Sequence, residues 1–528
     1  MKRTFHFRFV VILVILFWGL QGTIYSVSSA PNVQTFSPPL VGFTIHFDFL
    51  ESKEDAEKLL NFAYTNKTEI LNVVPSPHIW KNKVALEILK TIFSFATGHR
   101  MKIILTRIDG SEITGDRMTR DNYIYSHILT QRGKLPSGKD TPFFFCNPVG
   151  NLAFIQWQKE ETEYYARHFS NEPTLMGFSV GMFNEPFVSQ RGSLLCFDET
   201  TNSYEIAQYT PYGLEWWHKW LNKEFHGRIK KLNGRYSSSF KDFNEVPMPV
   251  NEKDDRFGNS SETYWDLVRA LNSWVVSRYE ECRKIWHTYS KKNIPFILQF
   301  SGYMPEKLVK GRPAFAALDV FDWISRADAL GLSLYTNAEY DDKGHASDKA
   351  MVHFLQLAHM MNKKIFILES GYEDNGAVCD NEELDFFVSQ ASELHPESVI
   401  YEFLKMSYDE TFPNNSGKII DQSWNIRKET VEKLIGAFDR IKTGSVSNSA
   451  PIYIYDDPNG LKNSENELNI RKMMINMAYD KPIVFIPQNA IQFLPRGSML
   501  NIPKSSLSKS LLRMLKSRGI SFKVGYNN

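Results

Sequence analysis

The chain is poor in cysteine and has no surplus of either charge. Four cysteines stand in 528 residues, at Cys146, Cys196, Cys282 and Cys379, with none of the Cys-x-x-Cys or His-x-x-x-His spacings that hold a structural or catalytic metal. His46, His78, His99 and His127 are likewise too scattered to make a ligand set. Neither a phosphate-cradling glycine loop nor a dinucleotide fingerprint is present, so no metal and no cofactor is expected. Lysine plus arginine number 61 against 60 for aspartate plus glutamate. That balance gathers neither nucleic acid nor an anionic membrane, and points to a neutral partner. Internal repeats and long low-complexity tracts are also missing, which argues against a solenoid or a disordered tail.

Long apolar runs are scarce, and the clearest lies at the start. Lys2, Arg3 and Arg8 precede an apolar stretch from Phe9 to Leu20, and small polar residues follow through Ala30, which is the order of a secretory signal. At about a dozen residues the stretch is short for a ~30 Å hydrocarbon core. Residues 1–30 are therefore expected to be a signal peptide cleaved near residues 26 to 30, with an uncleaved N-terminal anchor as the other reading. The mature protein is expected to be secreted or held at the cell surface. Export would expose the cysteines to oxidation, and either Cys146 pairs with Cys196 or all four remain thiols.

What the chain does have is aromatics, 14% of its residues, and an alternation of two patterns. Short runs rich in Val, Ile, Leu and Phe alternate with amphipathic helical stretches, the pattern of parallel strands joined by helical crossovers. Strands are predicted at 40–47, 69–74, 102–106, 175–180, 295–300, 329–334, 364–368 and 398–404. Eight such units predict a (β/α)8 TIM barrel spanning about 36–445, closed by a helix over 428–441. Two connections exceed the usual few residues, from Ile108 to about Gly150 and from Phe187 to about Asn259. Both follow the C-terminal ends of strands, the barrel face that carries active sites, and are expected to wall a cleft. A Gly, Ser and Asn-rich linker near 443–450 leads to a small α/β unit, 446–528, with strands at 451–455, 482–486 and 521–524 and helices at 469–477 and 506–517.

Two glutamates sit where that barrel would do chemistry. The apolar run Met176 to Phe183 delivers Asn184 and Glu185 just past the fourth strand, and Lys364 to Leu368 delivers Glu369 just past the seventh. Cleaving a glycosidic bond needs one carboxylic acid to protonate the leaving oxygen and one carboxylate to attack or to activate water. Asn184-Glu185-Pro186 and Glu369-Ser370-Gly371 resemble, in the same order, the paired signature of clan A retaining glycoside hydrolases. The copy Asn171-Glu172-Pro173 precedes its strand and is set aside. The resemblance implies that Glu185 is the acid/base, that Asn184 bonds the sugar 2-hydroxyl, and that Glu369 is the nucleophile. It also implies that Tyr335, after strand six, bonds the nucleophile. The clan's usual arginine comes from strand two, where this chain has Asn72, Pro75 and His78; Arg107, at the end of strand three, is the candidate to replace it as a charged partner of Glu369. Trp80, Tyr303, Tyr408 and Trp424 are candidate sugar platforms near strand ends, with ordinary packing as the alternative.

The connection after strand four carries a second likeness. Leu214-Glu-Trp-Trp-His-Lys-Trp-Leu221, Leu232-Asn-Gly-Arg-Tyr236 and Phe240-Lys-Asp-Phe-Asn-Glu-Val-Pro-Met-Pro249 are similar to the family 42 β-galactosidases. Pro186 and the small C-terminal unit depart from that family. The expected activity is retaining hydrolysis of β-glycosidic bonds in oligo- or polysaccharides by double displacement. Two further readings are a transglycosylase, separable by its products, and a non-catalytic carbohydrate-binding surface protein on a degenerate barrel, which the presence of both glutamates opposes.

Overall fold

The computed structural model describes residues 37–47, 50, 52–75, 79–108, 134–139, 149, 152–181, 195–198, 203–206, 208–250, 253–301, 308–309, 312–313, 320–335, 357–371, 384–385, 388–389, 391–392, 394–401, 419–420, 424–443, 452–456, 483–502 and 506–524. The expected leader and the predicted helix 469–477 lie outside them. Eight parallel strands form a closed barrel: β1 Leu40–His46, β2 Ile70–Val74, β3 Lys102–Ile108, β4 Leu175–Gly181, β5 Phe296–Ser301, β6 Ala329–Tyr335, β7 Lys364–Gly371 and β8 Ser398–Tyr401. Their order around the barrel is sequential, with β8 closing onto β1. This is the TIM barrel that the alternation of patterns predicts.

Each strand carries apolar residues on both faces because one faces the barrel axis and the other the helices. On β1 the outward residue Phe43 lies 6.4 Å from Phe62 and 6.1 Å from Phe438 between ring centres. Phe62 belongs to α1, Lys53–Thr65, whose first turn is capped by Ser52 accepting from the Asp55 N–H at 3.1 Å. Phe438 belongs to α8, Lys428–Thr443, the closing helix. Between these run α2 Lys83–His99, α3 Leu152–Phe169, α4 Pro211–Glu224, α5 Ile229–Tyr236, α6 Ser260–Tyr289 and α7 Val320–Arg326. Inside the barrel, Ile70, Ile104, Ile297, Ala329, Phe366, Leu368 and Ile400 make a separate apolar plug.

The connection after β4 holds α4, α5 and the start of the 30-residue α6. Side-chain bonds to main chain shape it: Trp217 donates to the Pro247 carbonyl at 3.3 Å, and Asn233 bridges Phe240 by donating to its carbonyl and accepting its N–H. Buried Asp266 of α6 accepts from Tyr236 at 3.0 Å and Arg235 at 2.8 Å.

After the barrel, β9 Ile452–Asp456, β10 Ile483–Pro487, β11 Met499–Ile502 and β12 Ser521–Val524 form a parallel sheet in the order β10-β9-β11-β12. Three of these strands are the predicted ones, and α9, Lys509–Arg518, matches the predicted last helix. The fourth, β11, escapes the sequence because Met499-Leu-Asn-Ile502 is too short to show a period. Its buried Leu500 and Ile502 join the same core as the barrel's outer shell, and Pro38–Asn528 forms one compact unit.

Candidate active site

Strand register decides which side chains enter the barrel. Among the described pairings, two register shifts occur, and they fall on β4 and β7, the strands that lead to Glu185 and Glu369. On β4, Ile103 pairs with Leu175 but Ile104 with Gly177, so Met176 is an extra residue. On β7, Leu332 pairs with Ile367 but Ser333 with Glu369, so Leu368 is the extra one. A bulge of this kind re-aims the residues beyond it. Leu368 already points inward, as a member of the interior plug. Strict alternation would then send Glu369 outward to the helices, whereas the bulge keeps it on the interior side.

The interior bonding confirms that placement. Gln299 of β5 donates its side-chain amide to Glu369 Oε2 at 3.2 Å. The other end of the same amide, its oxygen, accepts from the Ser179 hydroxyl of β4 at 3.2 Å. Across the barrel, Asn72 of β2 donates to the main-chain carbonyl of Leu368 at 3.2 Å and accepts from the Thr106 hydroxyl at 2.6 Å. Thr44 of β1 lies 3.4 Å from the Asn72 amide as a further acceptor. Above the apolar plug there is thus a polar layer drawn from β1, β2, β3, β4, β5 and β7, and two of its bonds end on Leu368 and Glu369. Glu369 is half-buried, while Thr44, Asn72, Thr106, Ser179 and Gln299 are buried. The sequence carried a faint signal for these: single polar residues inside apolar strands, Gln299 in Phe-Ile-Leu-Gln-Phe and Asn72 in Ile-Leu-Asn-Val-Val.

Arg107 stands on the outward side of β3, next to inward Thr106, and is buried against α3. There its Nη1 donates to the Gln158 carbonyl at 2.7 Å and to the Thr162 hydroxyl at 2.5 Å, with the guanidinium 5.6 Å from the Trp157 ring centre. Alternation along a regular strand puts it on the wrong face to meet Glu369. Two proposed platforms also have shell partners. Trp80 packs on Tyr164 of α3 with ring centres 4.5 Å apart, and Trp424 lies under Lys58 of α1 at 4.7 Å. Tyr335 closes β6 opposite Gly371 of β7. Asn184, Glu185, Tyr303 and Tyr408 lie outside the described residues. Of the four cysteines, Cys282 is a buried thiol 3.9 Å from the Gln158 carbonyl.

A closed parallel barrel with a carboxylate turned into its interior at the C-terminal end of the seventh strand has that group on the face where TIM barrels carry their active sites. Solved structures share this fold. A GH42 β-galactosidase from G. stearothermophilus, solved as a catalytic mutant, superposes with a TM-score of 0.69 at 13% identity, over 93% of this chain and 71% of its own. The β-galactosidase of the psychrophilic Marinomonas ef1 gives 0.66 at 13% identity, over 92% and 75%. That of Bacillus circulans sp. alkalophilus gives 0.65 at 12%, over 93% and 71%. At such identities the likeness is one of fold. No family model matches the chain, and no curated protein matches it in sequence.

Proposed function

We propose that this protein is a retaining glycoside hydrolase acting on β-glycosidic bonds, with Glu369 as nucleophile and Glu185 as acid/base. The observation that carries the reading is the Leu368 bulge, which turns Glu369 into the barrel interior at the end of β7. A carboxylate there, bonded by Gln299, suits attack on a sugar ring held in the mouth. Support also comes from the fold shared with β-galactosidases over nine-tenths of the chain, which makes β-galactosides the first substrates to try.

In the first step a Glu369 oxygen bonds the anomeric carbon while Glu185 gives its proton to the leaving oxygen. In the second, Glu185 takes a proton from water, which displaces Glu369 and restores the starting configuration. The charge on Glu369 drives the change of role. While ionised it disfavours a second negative charge nearby, and once esterified that repulsion is gone, so Glu185 can serve as base. Asn184 bonds the sugar 2-hydroxyl. Export through the N-terminal leader belongs to the same reading and places the enzyme with extracellular sugars.

The test is hydrolysis of a panel of aryl β-glycosides by the chain from Pro31 onward, beside Glu369→Ala and Glu185→Ala. Loss of turnover in Glu369→Ala, with azide yielding a glycosyl azide of inverted configuration, is the expected result. Binding of oligosaccharides without any cleavage by the unaltered chain would replace the proposal with a carbohydrate-binding protein.

A further inference from the structure

Gln299 reaches Glu369 across an intervening strand, since β6 lies between β5 and β7. The register shows how: Gln299 is opposite Gly331, and two residues further along β6 the backbone of Ser333 is opposite Glu369. Gly331, with no side chain, leaves the path open. An added Cβ at Gly331 would lie 3.3 Å from the Gln299 Cα and 2.6 Å from the Leu368 Cδ1. The orientation of the Gln299 amide is also set. Ser179 donates to its oxygen, which directs the NH2 group toward the carboxylate. Gln299 is buried, so water competes little for this bond.

We infer that Gln299 is a positioning residue for Glu369: held by Ser179, its amide secures Oε2 of the carboxylate and so fixes the angle at which the group meets the sugar. This rests on Glu369 being the nucleophile. It goes beyond that reading by tying the nucleophile, through Gln299, to β4, the strand that leads to Glu185. A hydrogen bond to an ionised carboxylate favours the ionised form, so the same contact keeps Glu369 reactive toward lower pH.

The experiment follows covalent labelling of the full chain by 2,4-dinitrophenyl 2-deoxy-2-fluoro-β-galactoside, in which the Glu369 oxygen bonds the anomeric carbon and dinitrophenolate departs with its electron pair. Intact mass gives the rate across pH, and peptide mass gives the site. Gln299→Met keeps size and removes the donor, Ser179→Ala frees the amide, and Ser179→Thr retains the hydroxyl. In Gln299→Met the acidic limb of the labelling rate is expected to move up by roughly one pH unit, a tenfold loss below the limb. Ser179→Ala should move it less, and Ser179→Thr should restore it. A purely structural role would alter melting temperature and leave the limb in place, and that outcome in Gln299→Met overturns the inference; if that variant does not fold, Ser179→Ala with an unmoved limb does so. Label found on a residue other than Glu369 removes the nucleophile assignment itself, a separate failure.

Discussion

Asn72 on β2 and Leu368 on β7 are bonded across the barrel, the side-chain amide of one donating to the main-chain carbonyl of the other at 3.2 Å. The carbonyl belongs to the bulge residue, where the strand's own ladder is locally disrupted. Asn72 thus satisfies a buried acceptor at the point where β7 turns Glu369 inward, and Thr106 fixes its orientation from the other side.

Replacing Asn72 with leucine should leave that carbonyl and the Thr106 hydroxyl without this partner in a buried site, at a cost of about 1–3 kcal/mol. Urea unfolding measures the loss. Turnover per folded molecule should fall as well, because the bulge that aims Glu369 is no longer held.

Gly331→Ala should damage the same feature from the opposite side. The new methyl group would lie 2.6 Å from Leu368 Cδ1 and 3.2 Å from Ile297 Cγ2, overpacking that costs about 1–3 kcal/mol. Gly98, near the end of α2, is the control: a Cβ there meets nothing within 4 Å. Gly98→Ala should stabilise by about 0.5–1 kcal/mol and leave activity alone. Thermal unfolding of the two variants, side by side with their turnover, checks the contrast.

Arg107→Met should lower stability without changing kcat or the pH profile of the folded enzyme. The residue binds α3 to the barrel through Gln158 and Thr162, and losing these bonds to a charged group costs on the order of 1.5–3 kcal/mol each at most. A large fall in kcat with unchanged stability would return Arg107 to the catalytic set.

At the opposite, N-terminal end of the barrel, Asp328 accepts from Arg283 at 2.5 Å, His287 at 2.6 Å and the Phe296 N–H at 3.1 Å. Burial alone would raise its pKa, but the bonds from His287, Phe296 and Arg283 outweigh it and hold the carboxyl below its ordinary value. The native pKa being depressed, Asp328 contributes stability that is full above the ordinary carboxylate value of about 4 and is lost as pH falls from there through the lower native value. Asp328→Asn should therefore be less stable than the unaltered protein at pH 6, with the gap closing below about pH 4. Denaturant midpoints at pH 6, 4 and 3 read this directly.

Much was legible in the chain itself. Eight apolar runs separated by amphipathic helices specify a parallel barrel, since only strands covered on both faces can be apolar throughout, and each run coincides with a barrel strand to within a few residues. Glu369 was legible too, as a charge ending such a run. The same uniform apolarity hid the rest. A strand without polar alternation does not reveal which of its faces is inward, so Arg107 and Thr106, adjacent in sequence, could not be told apart until the sheet closed. Nor could Leu368 be recognised as a bulge, because an extra residue shows only against a partner strand. Gln299, Asn72 and Ser179 look like isolated polar residues along the chain. Their partners stand 70, 296 and 120 positions away, and only closure of the barrel brings them into one buried layer.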